Sequence, residues 1–241
     1  MKIKISYPEE HFTMVEDELK SRADSLSREP KILKDVPVPY SFIENNITAI
    51  IGTYPNTVDY FKKLLLQIVT FHSYTDLKLI IFSDSSKASN WEFLKNTPYC
   101  FSDDKKIRLF ASNKDEYNDL ANYLETIYNT RKEKKNDVNP HKFDKIYLII
   151  TDSFKMIRNV NLVNSLLKEK NNYGFSFVIL NKNIASLPEQ CKTFIKVDYV
   201  NGELSKNVLN SEKQAFLIDL ITGINYNECY KMLSNIPIET I

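Results

Sequence analysis

Short apolar runs alternate with helical periods along most of the chain. Ile47–Ile51 (ITAII) has the length and β-branched content of a buried strand and ends at Gly52. Val58, Phe61, Leu64, Leu65, Ile68 and Val69 then recur at three- and four-residue steps. That stripe predicts an amphipathic helix, with Asn56 or Thr57 as its N-cap and His72-Ser73-Tyr74 at its close. Leu77–Phe82 (LKLIIF) predicts a second strand, ending in the polar loop Ser83-Asp84-Ser85-Ser86. A short helix is expected around Trp91, Phe93 and Leu94, and a third strand at 107–111. Asn113 then caps a long helix running to about Lys135, with Tyr117, Leu120, Tyr123, Leu124, Ile127 and Tyr128 on its inner face. After a loop at 136–142, a fourth strand at 146–150 leads into Thr151-Asp152-Ser153. A helix at 162–170, a fifth strand at 175–180 and a sixth at 194–199 follow. Asn201-Gly202 predicts a hairpin turn into Glu203-Leu204-Ser205. Ser211 starts a predicted helix with Ala215, Phe216, Ile218, Leu220 and Ile221 apolar, and a last helix at 227–234 precedes Pro237.

The first residues differ in pattern. Residues 1–7 alternate, with Ile3 and Ile5 on one face, and predict a short strand broken by Pro8-Glu9-Glu10. Leu19, Ala23 and Leu26 give 16–29 a helical period that Pro30 stops. Residues 32–43 are extended and punctuated by Pro37 and Pro39, as an edge strand or connector. The alternation of strands and helices predicts an α/β fold, a mainly parallel sheet flanked by helices. Residues 46–241 form the main domain and 1–45 a strand–helix extension packing on it. Ligands of such sheets bind at the carboxyl ends of the strands, which here are Gly52, Ser83-Asp84, Ser112-Asn113 and Asp152.

A strand, a glycine turn and a helix form the frame of a phosphate-binding loop, which cradles phosphates with backbone N–H groups and adds a lysine and a hydroxyl. Here the turn is Gly52-Thr53-Tyr54-Pro55-Asn56-Thr57. It has no second glycine and no Lys-Ser or Lys-Thr pair, and Pro55 removes one N–H donor. The frame is that of a degenerate P-loop domain. The turn reads as structural, the alternative being a phosphate held by backbone donors alone. Asp152 ends an apolar strand, as a Walker B aspartate does where it helps hold Mg²⁺. Ser153 follows it where a water-activating glutamate would stand; a helix cap or turn is the plainer role for such an aspartate. Asp84, Asp103 and Asp104 read as solvated loop carboxylates. Cys100 would need a basic partner to act as a nucleophile, and neither His72 nor His141 is placed beside it by spacing, so an idle buried thiol is expected. Trp91, Phe93 and Leu94 read as core packing or a partner surface.

Composition narrows the function classes. With 32 Lys and Arg against 31 Asp and Glu, the net charge is +1, and nothing calls for nucleic acid or an anionic membrane. The basic run 131–135 reads as the solvated tail of a helix. Four glycines in 241 residues leave no glycine-rich cofactor loop. Cys100, Cys191 and Cys229 are far apart, and none pairs with His11, His72 or His141 in a ligand spacing, so neither a disulfide framework nor a zinc site is expected. No metal and no catalytic residue is assigned. The chain shows no signal peptide and no apolar run near ~18 residues.

Several ordered blocks resemble a known family. The opening KISYPEEHFTMVEDELKSRA, then LLLQIVTFHSYTDLKLIIF, WEFLKNTPYCFSDDKKIRLFA, IYLIITD, FSFVIL with LPEQC behind it, and the NGEL segment are similar to the membrane-proximal cytoplasmic domain of type VII secretion motors of the EssC/EccC family. The resemblance covers nearly the whole chain and rests on ordered blocks, with no catalytic motif among them. It implies a RecA/FtsK-like ATPase fold with degenerate nucleotide motifs, in agreement with the missing lysine after Gly52 and the missing glutamate after Asp152. It implies that the chain is a piece of a longer, membrane-anchored protein at the cytoplasmic face of a bacterial membrane. FtsK/SpoIIIE-type ATPase domains would follow it in the same polypeptide. Those domains, other membrane components of the secretion system and ring assembly of the full protein are the implied partners. The family's small helical-hairpin substrates engage the far ATPase domain, so no substrate recognition is assigned here. ATP with magnesium is the family's cofactor, and none is expected to be held by this turn.

Overall fold

The computed structural model describes residues 2–3, 17–28, 31–32, 36–133, 143–206, 213–219 and 223–235. The chain divides into two compact units, Met1–Tyr40 and Ser41–Ile241. In the first, β1 (Lys2–Ile3) pairs antiparallel with β2 (Lys31–Ile32), and α1 spans Asp17–Arg28. Asp17 and Glu18 in its first turn complement the positive end of the helix dipole. The predicted helix at 16–29 is present. Of the expected strand at 1–7 only 2–3 is described. The Pro8-Glu9-Glu10 break and Pro30 lie outside the described residues. Among the described residues of the predicted extended stretch at 32–43, Ile32 is strand; from 36 the chain is irregular, then turns at 42–45.

The second unit contains β3 (Ile47–Ile51), α2 (Tyr54–Phe71), β4 (Leu77–Phe82), β5 (Phe110–Ala111), α3 (Lys114–Glu133) and β6 (Ile146–Thr151). It continues through α4 (Phe154–Ile157), α5 (Asn161–Lys168), β7 (Phe175–Asn181), β8 (Thr193–Val197), β9 (Asn201–Lys206), β10 (Lys213–Leu217) and α6 (Tyr226–Ser234). The strands form one eight-stranded sheet in the order β10-β9-β8-β3-β7-β6-β4-β5. The six strands from β8 to β5 in that order run parallel, and β9 and β10 are antiparallel additions at one edge. β4 is buried at every position, as a central parallel strand covered on both faces must be. Ile80, Phe82, Tyr147, Ile149, Phe175, Phe177 and Ile179 form one face, against which Tyr117, Leu120, Leu124 and Tyr128 of α3 and Leu162 and Val163 of α5 pack. Helix α2 lies against β7 and β8 and buries Val58, Phe61, Leu65 and Val69.

Five expectations are corrected. Helix α2 starts at Tyr54 with Thr53 as N-cap, ahead of Asn56 and Thr57. Pro55 falls in its first turn, where its fixed φ suits the helix and its missing N–H leaves no bond unmade. The third strand shrinks to Phe110–Ala111. The Trp91 segment is a set of 3₁₀ turns, Ala88–Asn90, Glu92–Leu94 and Pro98–Cys100, and holds no α-helix. Asn201 and Gly202 lie inside β9. The hairpin turn precedes them and is headed by Asp198, whose Oδ1 accepts N–H bonds from Val200 (2.7 Å) and Asn201 (2.5 Å). Gly202 is small for another reason: the Phe216 ring lies over it, and a Cβ there would sit 2.1 Å from its Cζ. The helix expected from Ser211 is the edge strand β10 over the residues described. A five-residue stretch with only Ala215, Phe216 and Leu217 apolar fits either period, and the open edge of β9 decides it by offering a ladder. Lys213 reinforces the pairing with an ion pair to Glu203 at 3.2 Å. Ser211, Leu220, Ile221, Pro237 and the loop 136–142 lie outside the described residues.

Arg131, expected on a solvated tail, turns into the base of the sheet. Its guanidinium donates to the carbonyls of Tyr173 (2.9 Å) and Lys145 (2.8 Å) and lies over the rings of Phe143, Tyr147 and Phe175. It ties α3 to the starts of β6 and β7. Arg131→Met keeps much of the apolar contact but leaves two part-buried carbonyls without this donor. Urea denaturation is expected to show a loss of about 2–4 kcal/mol.

Candidate functional site

β3 and β6 carry Gly52 and Asp152 to the same edge of the sheet, with β7 between them. Gly52 continues the ladder: its N–H donates to the Asn181 carbonyl at 3.1 Å. A Cβ at Gly52 would lie 2.4 Å from the Val197 carbonyl oxygen, so the glycine is where the end of β3 meets the backbone of β8. Thr53 carries no side-chain cap bond. Thr57 is buried, and its hydroxyl donates back to the Tyr54 carbonyl at 3.0 Å. Pro55 and Asn56 complete the first turn of α2.

Asp152 is 5% exposed. Three donors meet at its Oδ2: the Trp91 indole N–H at 2.7 Å, the Ser83 hydroxyl at 2.9 Å and the Tyr54 phenol at 3.0 Å. Oδ1 accepts a longer bond of 3.4 Å from the Asp84 N–H. Tyr54 comes from the Gly52 turn and reaches across the end of β7. Burial, then the Asp152 charge and the hydrogen bond to it, pushes the phenol well above its ordinary pKa and keeps it a neutral donor. Asn90 Nδ2 donates to the same phenolic oxygen at 3.2 Å. Ser83 is fixed from behind, since its carbonyl accepts the Tyr117 hydroxyl at 2.5 Å. Burial, with the charges of Asp84 and Asp152, raises that Tyr117 phenol to about 12.

A cation stands beside this group. Lys87 Nζ donates to the Asp152 carbonyl at 2.9 Å and to Ser153 Oγ at 3.2 Å, and lies 4.8 Å from the centre of the Tyr54 ring. The ammonium is thus engaged on three sides by the chain's own groups. Spacing gave no signal for Lys87, which sits in an ordinary polar loop.

The other candidates separate from this site. Asp84 accepts the N–H (2.9 Å) and hydroxyl (2.5 Å) of Ser86, which holds its carboxyl below the usual range. Asp103 is exposed, as expected of a loop carboxylate, and also pairs with the buried Lys78 at 3.1 Å and with Lys145. Asp104 accepts the Ser102 hydroxyl at 2.6 Å. Cys100 is fully buried, and burial drives its thiol up to about 12, far from a thiolate nucleophile. Trp91 is fully buried, which removes it from any partner surface. Among the described residues no three His, Cys, Asp or Glu side chains converge on one point as a metal cage would require, and no helix is long and apolar enough to cross a membrane.

No protein-family model matches the chain. Over 244 residues it is 25% identical to the type VII secretion system protein EssC of Staphylococcus aureus (strain NCTC 8325 / PS 47), covering 97% of this chain and 16% of that protein. It is 22% identical over 204 residues to the ESX secretion system protein EccC of Geobacillus thermodenitrificans, covering 83% of this chain and 13% of that protein. The chain therefore spans under a fifth of the length of the curated relatives it matches. In fold it is similar to a solved structure of EssC (ATPases 2 and 3) from Geobacillus thermodenitrificans. That match has a TM-score of 0.60 at 13% identity, covering 87% of this chain and 46% of the other. A second is Thermomonospora curvata EccC (ATPases 2 and 3) in complex with a signal sequence peptide, with a TM-score of 0.58 at 10% identity, covering 88% of this chain and 48% of the other.

Proposed function

This chain is homologous to a segment of the EssC and EccC type VII secretion proteins, and from that premise we propose that it is a pseudo-ATPase module of a secretion motor. It does no chemistry of its own. It couples the membrane-embedded part of the motor to FtsK/SpoIIIE-type ATPase domains of the same polypeptide, at the cytoplasmic face of a cell membrane and within a ring of subunits. Other membrane components of the secretion system are its further partners, and nucleic acid is not among them.

One observation carries this reading. The Oδ2 of Asp152, which would face magnesium in an active relative, accepts three of the chain's own donors, and Tyr54 brings one of them from the turn that would cradle the phosphates. The residues present do not fit a magnesium nucleotide. The turn has no lysine, the Gly52 N–H is used by Asn181, and Pro55 has none.

A second reading is a weak nucleotide-binding or hydrolysing domain completed by a residue of a neighbouring subunit, as arginine fingers complete other sites. The position of Lys87 favours it, because it puts a cation beside Asp152 and Ser153. Lys87→Met in the parent motor separates the two. The pseudo-ATPase reading expects ATP turnover within about twofold of the unaltered motor. A loss of about tenfold or more, the scale on which a phosphate-binding cation acts, would support the second reading instead.

A further inference from the structure

Trp91 stands between two flanking 3₁₀ turns, Ala88–Asn90 and Glu92–Leu94. Such turns have poor hydrogen-bond geometry and take their conformation from what they pack on. This segment is anchored at two points. The Trp91 indole is hydrogen-bonded to Asp152 and packs edge-on against Phe61 of α2 at 6.2 Å. Two residues on, Phe93 is enclosed by α6: its ring lies 4.7 Å from that of Tyr230 and 6.0 Å from that of Tyr226. Lys62 of α2 sits over both the Phe93 and Tyr226 rings, at 5.4 and 5.9 Å. The Phe93 and Trp91 rings are themselves 6.5 Å apart.

The seat of α6 is therefore made of aromatic faces. Tyr230 is fully buried, and among the described residues neither its hydroxyl nor that of Tyr226 has a hydrogen-bond partner. A helix seated by ring packing, with no hydrogen bond from these two hydroxyls among the described residues, is expected to open first in such a cluster, since local opening follows the weakest set of buried contacts.

We propose that α6 is linked to the Asp152 site through Phe93 and Trp91, so that undocking of α6 and loss of the Trp91–Asp152 hydrogen bond are one event. The inference rests on the reading of the Asp152 site as a structural coupling element. The physical link is short. Removing the rings of α6 frees one side of Phe93, the two 3₁₀ turns relax together, and the indole moves off Oδ2. By linkage, weakening the acceptor at Asp152 loosens α6 in return.

The sequence holds one tryptophan, so a single indole N–H signal reports on Asp152 without ambiguity. Hydrogen exchange of that indole and of the α6 amides is measured by NMR, each rate taken relative to β6 core amides. In Tyr226→Ala, both the α6 amides and the indole are expected to exchange at least about tenfold faster. In Asp152→Asn, the α6 amides are expected to speed up as well. In Tyr54→Phe, which removes a different donor from the same oxygen, they are expected to stay within about twofold. Phe93→Leu, a milder change at the link itself, is expected to separate the two motions, so that Tyr226→Ala on that background no longer accelerates the indole. Faster α6 exchange in Tyr226→Ala with an unchanged indole would overturn the proposal, as would equal α6 responses to Asp152→Asn and Tyr54→Phe. No nucleotide enters these measurements. Nucleotide binding found elsewhere would overturn the pseudo-ATPase reading and leave this linkage standing. An unresponsive indole would do the reverse.

Discussion

Asp152→Ala is expected to cost about 3–5 kcal/mol of folding stability, close to the most a single substitution takes from a domain of this kind. The change removes the acceptor of the Trp91, Ser83 and Tyr54 donors at once. The Trp91 indole is fully buried and loses its acceptor outright, while the equally buried Ser83 hydroxyl keeps only the long bond of 3.3 Å to the Asp84 carbonyl. Each buried donor left without an acceptor costs roughly 1–3 kcal/mol. Asp152→Asn keeps one acceptor oxygen and is expected to lose about half as much. The expectation separates roles as well as sizes. An aspartate kept for magnesium is an electrostatic burden in the absence of the metal, and its removal leaves stability unchanged or raises it. Urea denaturation followed by the fluorescence of Trp91 measures the difference, and an unchanged midpoint for Asp152→Ala would mean that this network does not hold the site together.

Gly52→Ala is the second large effect, about 2–3 kcal/mol of destabilisation. The new methyl would meet a backbone atom, the Val197 carbonyl oxygen at 2.4 Å, with Thr57 Cγ2 at 3.3 Å behind it. A flexible side chain could swing aside, but two strand backbones locked in a parallel ladder cannot. The β3–β8 register would have to shift, and with it the turn that aims Tyr54 at Asp152. Amide exchange across β3 and β8 is expected to rise together in this variant. A glycine retained for phosphate would be neutral to folding, so a midpoint equal to that of the unaltered chain would count against this account of Gly52.

Much of this was legible in the residues themselves. Leu77–Phe82 is a strand at the predicted bounds because a short run that is apolar but for Lys78 and ends in Ile80, Ile81 and Phe82 has one economical use in an α/β domain, a strand covered on both faces. Asn113 caps α3 as its position foretells, with Oδ1 accepting the Glu116 N–H at 3.0 Å. Gly52 and Asp152 come to the same edge of the sheet because a parallel sheet places the ends of its strands there. What stayed hidden was non-local. The Tyr54 phenol meets a carboxylate 98 positions away, a contact that no period or spacing encodes. Lys87 and Ser83 come from a loop whose composition is that of any polar turn. β10 is a strand because β9 presents an open edge, a tertiary fact that overrides the helical spacing of Ala215, Phe216 and Ile218. Asn201-Gly202 failed as a turn signal because its glycine is needed for the Phe216 ring and Asp198 supplies the turn one step earlier.

These residues give the pseudo-ATPase reading a physical form. In an active site of this fold, the aspartate at the strand end and the loop of the first strand are joined by metal and nucleotide. Here Tyr54 joins them directly and Lys87 lies against the seam. On that proposed reading, this direct bond holds the two halves of the sheet edge in one arrangement.

Calorimetric titration of the purified chain with ATP and magnesium tests that claim most directly. The account predicts no saturable heat and no shift in the unfolding midpoint at millimolar nucleotide, because the donors and the carboxylate are already engaged. Magnesium-dependent binding in the micromolar range, lost in Lys87→Met, would contradict it and make this edge of the sheet a nucleotide site.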